Sequence, residues 1–327
     1  MNIKFLSPIV VAAGIMALLS ASSVALASEG STFGGPVGGT EIRSAYVPAT
    51  SGWYLGLVSG FGIATREYGP NGVPAPGVSA QGYSIYPLGV GIMYVYPFKL
   101  YGGTLSSVAQ IAYNFGRFKV NGTNDNFHGL ADTYVQFLGW SKYIGSIGGK
   151  TEPSVAAPGL PYGLTIKLAY SMIFPTGRYT PNDKITIGHN VFFYIPNFAF
   201  TYLTAPNFLG DGLEFSSTVF FDIASYNHHT NYQTGLVGDI DFAVSERMGR
   251  WQAGLAGYYA NQWQEDVQNG QPVQPDGRKL YNLAIGPIVA YDIPAWKASV
   301  KLKVYFPVGL HESLNTTKVF LSFSKAL

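Results

Sequence analysis

The stretch that decides the fold is Trp296-Lys297-Ala298-Ser299-Val300-Lys301-Leu302-Lys303-Val304-Tyr305-Phe306, which runs on to Val308. Trp296, Ala298, Val300, Leu302, Val304 and Phe306 fall on one face of a two-residue repeat. Lys297, Ser299, Lys301, Lys303 and Tyr305 fall on the other. A period of two belongs to a strand, whose successive side chains point to opposite faces, whereas a helix needs a period near 3.6. The pattern recurs at 160–174. There Leu160, Tyr162, Leu164, Ile166, Leu168, Tyr170, Met172 and Phe174 oppose Gly163, Thr165, Lys167, Ala169 and Ser171. At 232–245, Tyr232, Leu236, Ile240, Phe242 and Val244 oppose Gln233, Gly235, Asp239, Asp241 and Ser245. Such runs are far longer than the strands of soluble sheets. They suit a tilted membrane-spanning strand of about ten residues plus its rims.

Two uncharged stretches, 68–98 and 185–210, are long enough to cross a bilayer as helices. The first carries Pro70, Pro74, Pro76, Pro87 and Pro97. The second carries Pro196 and is rich in Phe, Tyr, Asn and Thr. These residues disfavour helix and favour strand. The alternation therefore predicts an all-β chain, an antiparallel transmembrane β-barrel of about twelve strands. They are placed at 52–65, 83–98, 104–118, 129–143, 160–174, 189–204, 211–226, 230–245, 250–264, 278–292, 296–308 and 316–327. An even count puts both termini on the periplasmic side, with short inner turns and longer outer loops. Two connections break that rule: 144–159 is long for an inner turn, and 227–229 is short for an outer loop. The final strand sets Val319, Leu321, Phe323 and Leu327 on one face, interrupted by Lys325.

Composition points the same way. Charged residues make up 12% of the 327, about half the usual quarter, while hydrophobic residues make up 47% and aromatics 15%. The apolar content excludes a disordered chain. A net charge of +2, with Lys and Arg scattered, excludes a basic nucleic-acid binder. With no cysteine there is no disulfide scaffold, no thiolate metal site and no Cys nucleophile. Lys4, the apolar run 5–19 and Ala25-Leu26-Ala27 read as an export signal, residues 1–27, cleaved after Ala27. Residues 28–51 are rich in Gly, Pro and Ser and show little alternation. They read as a lead or a plug segment ahead of a barrel spanning 52–327.

Charges facing lipid at mid-depth are costly, so those on the polar faces should line the lumen. They are Asp132, Lys167, Glu214, Asp222, Asp239, Asp241, Lys297, Lys301 and Lys303. They read either as a track that orients a permeant or as a network that neutralises itself and stiffens the wall. His228-His229 lacks further ligands nearby, so no metal and no cofactor is expected. His311-Glu312-Ser313 presents a base and a hydroxyl, but in an outer loop, where a rigid site close to lipid is not expected. No enzyme is expected.

Thr230-Asn231-Tyr232-Gln233-Thr234-Gly235, then Asp239, then Gly254-Leu255-Ala256-Gly257-Tyr258 with Gln262 and Asp266, then Ile285-Gly286-Pro287 and Tyr291, keep the order of a known family. Glu29-Gly30, Tyr46-Val47-Pro48 and Gly52 fit it as well. In these residues the chain resembles the outer-membrane proteins grouped as the "MetA-pathway of phenol degradation" family, regarded as transporters. The resemblance covers most of the chain and is most specific from Thr230 to Tyr291. It implies an outer-membrane channel linked to aromatic compounds. The expected function is passive uptake of small apolar or aromatic molecules across a bacterial outer membrane. The expected protein is a monomer that meets outer-membrane lipid and the barrel assembly machinery but no nucleic acid. The alternatives are a structural or adhesive barrel with a closed lumen and, third, a lipid-modifying barrel enzyme.

Overall fold

Twelve long strands form where the two-residue repeat runs. They are β1 (Gly52–Ala64), β2 (Tyr83–Leu100), β3 (Gly103–Val120), β4 (Thr133–Gly145), β5 (Gly163–Phe174) and β6 (Phe193–Leu203). They continue with β7 (Gly212–Ala224), β8 (Val237–Met248), β9 (Trp251–Gln262), β10 (Tyr281–Ile293), β11 (Ala298–His311) and β12 (Thr317–Ala326). The computed structural model describes residues 38–74, 83–120, 123–146, 155–156, 160–180 and 186–327. The expected export signal, 1–27, and the first part of the 28–51 segment lie outside the described residues. Each strand pairs antiparallel with its sequence neighbours. β1 closes on β12, with Tyr54 opposite Ala326 and Ile63 opposite Thr317. The result is a closed antiparallel barrel in which each of the twelve strands is paired on both sides, as spanning a bilayer with strands requires.

The faces follow the repeat. Along β11, Leu302 and Phe306 are exposed on the outer surface while Lys301, Lys303 and Tyr305 are buried inside. Leu57, Leu88, Val90, Leu168, Leu255 and Leu321 continue the outer apolar band. Aromatic pairs rim it at both ends: Trp53 with Tyr94 at 4.8 Å and Trp251 with Tyr291 at 4.6 Å at one, Tyr86 with Phe115 at 5.3 Å at the other. Rings at those depths match the interfacial girdles of membrane barrels.

The connections correct two boundaries. β8 starts at Val237, not at 230, so the outer loop before it is long after all. Tyr232–Gln233 instead pairs with Val267–Gln268 in a small sheet over that end. The buried Tyr232 had imitated one more alternating position. At the other end, Pro294–Trp296 forms a single helical turn closed by Lys297 N–H on the Pro294 carbonyl at 3.0 Å. β11 therefore begins at Ala298, and Lys297 is exposed on the turn instead of lining the lumen with Lys301 and Lys303. The connection between β4 and β5 keeps its unusual length.

Two of the family-motif glycines have a packing reason. A Cβ on Gly254 or Gly286 would run into the backbone carbonyl of Val244 or Val304. Beside Gly286, Pro287 offers no N–H, and the β10–β11 ladder passes from Ile285↔Phe306 to Ile288↔Lys303 without pairing either residue.

The outer face carries a direct test. Leu57 stands on the exposed face at the middle of β1. Leu57→Arg should lower the free energy of unfolding from lipid vesicles by about 2–4 kcal/mol, the cost of an arginine at mid-bilayer. Leu57→Ala should cost much less. Urea titration followed by heat-modifiable gel mobility reads both, and equal midpoints for the two variants would place Leu57 away from lipid.

Candidate functional site: the lumen and the segment inside it

A barrel of eight strands fills its interior with wall side chains, whereas twelve leave a wider space. Here that space holds residues 38–46, an irregular segment buried along its length. Tyr46 packs with Leu160 and Leu203 at the short-turn end. From there the segment reaches up to Gly38, whose backbone lies against the rings of Tyr305 and Tyr258.

Irregular backbone cannot satisfy its own peptide groups, so the wall must do it. Asp241 on β8 accepts from the N–H groups of Gly38 (2.5 Å), Gly39 (2.9 Å) and Thr40 (2.8 Å) and from the Thr40 hydroxyl (2.8 Å). Thr218 donates to the Thr40 carbonyl at 3.2 Å. The Ala45 N–H donates to Thr201 Oγ1 at 3.1 Å, and Ser141 Oγ donates to the Ala45 carbonyl.

Two charged side chains complete the fit. Glu41 takes Lys301 Nζ at 2.5 Å and Lys303 Nζ at 3.2 Å, both lysines coming from β11. Lys303 Nζ also donates to the Gly38 carbonyl. Arg43 forms a fork on Asp292 at 2.8 and 3.0 Å, and its Nε donates to Gln252 at 2.6 Å. Its N–H donates to Glu214 at 2.7 Å. Arg247 stands behind, 3.7 Å from both Glu214 and Asp292. A bidentate arginine–carboxylate fork is among the stronger and more directional polar contacts available to a protein. Aromatic rings frame the lysine pair: Lys303 Nζ is 5.2 Å from the Phe320 ring centre and 5.6 Å from that of Tyr305. Tyr258 meets Tyr305 edge to face at 5.4 Å.

Of the residues expected to line the lumen, Glu214, Asp241, Lys301 and Lys303 converge on this segment. Lys167, Asp222 and Asp239 are buried on the same inner face, with Asp239 beside Asp222 and Asp241. Asp132 does something else. At the long-loop end it accepts from the N–H groups of Gly177 and His189, both at 2.8 Å, and lies 2.9 Å from His189 Nδ1, which ties the loop before β6 to the start of β4. Glu41, Arg43, Arg247, Gln252 and Asp292 were missed. The signal available was small: two opposite charges two residues apart, in a lead whose other charge is Glu29.

The family-motif residues gather elsewhere. Tyr232 hydroxyl, Gly235 N–H and Gln262 Nε2 all donate to Asp266, at 2.5, 2.9 and 2.6 Å, in the loops over the long-loop end. Burial pushes the Asp266 carboxyl above its ordinary range, and these donors pull it part of the way back. The cluster clasps the loop before β8 to the loop after β9. In the segment tested as a base–hydroxyl pair, Ser313 accepts from Asn282 at 3.0 Å and His311 lies against Tyr281 at 5.1 Å.

The family model described as "Putative MetA-pathway of phenol degradation" matches residues 88–309. Among solved structures, the chain is similar to an outer-membrane channel of Pseudomonas putida F1, with TM-score 0.63 and 11% identity, covering 85% of this chain and 96% of that one. The β domain of the Bordetella autotransporter BrkA gives TM-score 0.47 at 11% identity, over 85% and 99% of the two chains. The translocator domain of the Neisseria meningitidis autotransporter NalP gives 0.46 at 9%, over 85% and 89%. At such identities the likeness is one of fold. No curated protein matches the chain.

The segment's anchorage is testable on a chain with no cysteine of its own. Ser44 is fully buried, so Ser44→Cys should resist a water-soluble maleimide. Adding Arg43→Ala removes the fork on Asp292 and leaves two buried carboxylates facing Arg247 alone. Losing one partner of a buried pair costs about 3–5 kcal/mol, so the segment should loosen and labelling should rise by at least about tenfold. Equal labelling rates would show that Arg43 does not hold the segment.

Proposed function

The chain belongs to the phenol-degradation MetA-pathway family, and from that membership we propose that it is an outer-membrane channel for passive uptake of small apolar or aromatic compounds, with residues 38–46 as its plug. The observation that carries the reading is what fills the lumen. A wall built only to be rigid would fill its interior from its own strands. Here a covalently attached but irregular piece of chain occupies the interior, and moving it would leave a conduit lined by Tyr258, Tyr305 and Phe320 among polar groups. The chain is then exported with loss of residues 1–27, is inserted by the barrel assembly machinery and works as a monomer in contact with outer-membrane lipid.

The same contacts favour one other reading. A segment held by an arginine fork and two lysines suits a structural barrel whose lumen stays closed. Removing residues 28–46 from the mature chain separates the two. In planar bilayers the truncated protein should conduct severalfold more than the full mature protein, and liposomes carrying it should take up phenol faster. If neither form conducts and neither admits phenol, the closed structural barrel is the correct reading.

A further inference from the structure

We propose that Lys301 and Lys303, with Tyr258, Tyr305 and Phe320 around them, form a binding site for a small aromatic monocarboxylate, occupied in the plugged protein by the chain's own Glu41. The proposal rests on the channel reading and names the solute class that the lumen would favour.

Both ammonium groups are almost completely removed from solvent, at 0% and 2% exposure. Buried charges persist only when they are paired and hydrogen-bonded. Asp241, the wall carboxylate that holds the same end of the segment, is turned to the segment's N–H groups. The carboxylate that both lysines hold comes from Glu41, 260 residues away from Lys301 in the chain. When the segment leaves, both lysines lose that carboxylate, while Lys318, 4.7 Å from the Tyr258 ring centre, keeps a third ammonium beside the same rings. A small carboxylate placed where Glu41 now lies would take up the same two lysines.

The segment also shows the shape that fits. Glu41 presents a carboxylate to both lysines. Beside it, the backbone at Gly38 lies close to two rings, where an added Cβ would sit 2.7 Å from Tyr305 Cε2 and 3.3 Å from Tyr258 Cδ1. A carboxylate joined to a thin planar group is the outline of an aromatic acid. Tyr305 and Tyr258 would meet its ring at the edge-to-face and offset geometries that aromatic pairs prefer. Phe320 and Lys303 already form a cation–π contact at 5.2 Å, which helps hold the ammonium in place once Glu41 has gone.

Benzoate, benzyl alcohol and acetate are the probes, and equilibrium dialysis of the mature protein in detergent is the measurement. Glu41→Gln keeps the segment's size and removes its charge. It should bind benzoate at least about tenfold more tightly than the unaltered protein, with benzyl alcohol unchanged and acetate weaker than benzoate. Adding Lys303→Gln to Glu41→Gln should cancel the gain. The protein lacking residues 28–46, whose lysines carry no Glu41 at all, should bind benzoate like Glu41→Gln and covers the case in which that variant does not fold. The proposal is overturned if benzoate binds the unaltered, Glu41→Gln and truncated proteins equally, if benzyl alcohol gains as much as benzoate, or if the gain survives Lys303→Gln. Liposome uptake keeps the two readings apart. Uptake of phenol without any Glu41-dependent benzoate binding removes this site and leaves the channel. Benzoate binding without uptake of either solute leaves the site and removes the channel.

Discussion

A lysine or carboxylate that points into a membrane barrel must find an opposite charge there, because neither the apolar outer face nor a crowded lumen will solvate it. In this protein the wall does not balance its own charges. Arg247 faces both Glu214 and Asp292, and Arg43 of the segment makes that group even. Lys301 and Lys303 share the carboxylate of Glu41, which only the segment brings. The two groups stand along β7 to β11, so one side of the wall holds the segment by charge. The neighbouring strands contribute hydroxyls, such as Ser141 of β4 and Thr201 of β6. The lumen is filled because its electrostatics require it, and the irregular backbone is tolerated because the same wall residues satisfy its peptide groups.

Most of the barrel was legible because a strand of a membrane barrel writes its two environments directly into alternate residues. All twelve strands stand near where the alternation put them, with shifts of a few residues at most ends and of seven at the start of β8. The shifts have local causes. Tyr232 is apolar and in phase with β8, yet it is buried under a loop against Asp266, which the pattern cannot distinguish from lipid. Lys297 is in phase with Lys301 and Lys303, yet Pro294 ends β10 and spends Lys297 on a turn. Leu160, expected on the lipid face, is buried with Tyr46 and Leu203 because β5 begins only at Gly163. Glu41 and Arg43 left only a faint mark, two charges two residues apart. Their partners lie some 250 residues downstream, and no period marks a segment without secondary structure.

The residues that most identify the family do two different jobs. Tyr232, Gly235 and Gln262 meet at Asp266 and organise the loops, while Gly254 and Gly286 allow neighbouring strands to approach. Gly257 belongs with them, since a Cβ there would press on the Phe242 ring. Tyr258 reaches the ring cluster beside the segment, Asp239 lies on the inner face next to Asp241, and Tyr46 belongs to the segment itself. A signature of this kind reports mainly how the barrel is built and capped, and in a few residues what its interior can touch.

The five residues 47–51 join the segment to β1, and five residues span at most about 17 Å. A segment that has left its seat is therefore never lost to the surroundings. It behaves as a ligand held near its own receptor at an effective concentration on the order of millimolar. Any solute that takes its place competes against that tethered rival and not against bulk solvent. Occupancy of the interior thus depends on how abundant the solute is, with a threshold set by the length of a linker that touches neither the solute nor the wall charges.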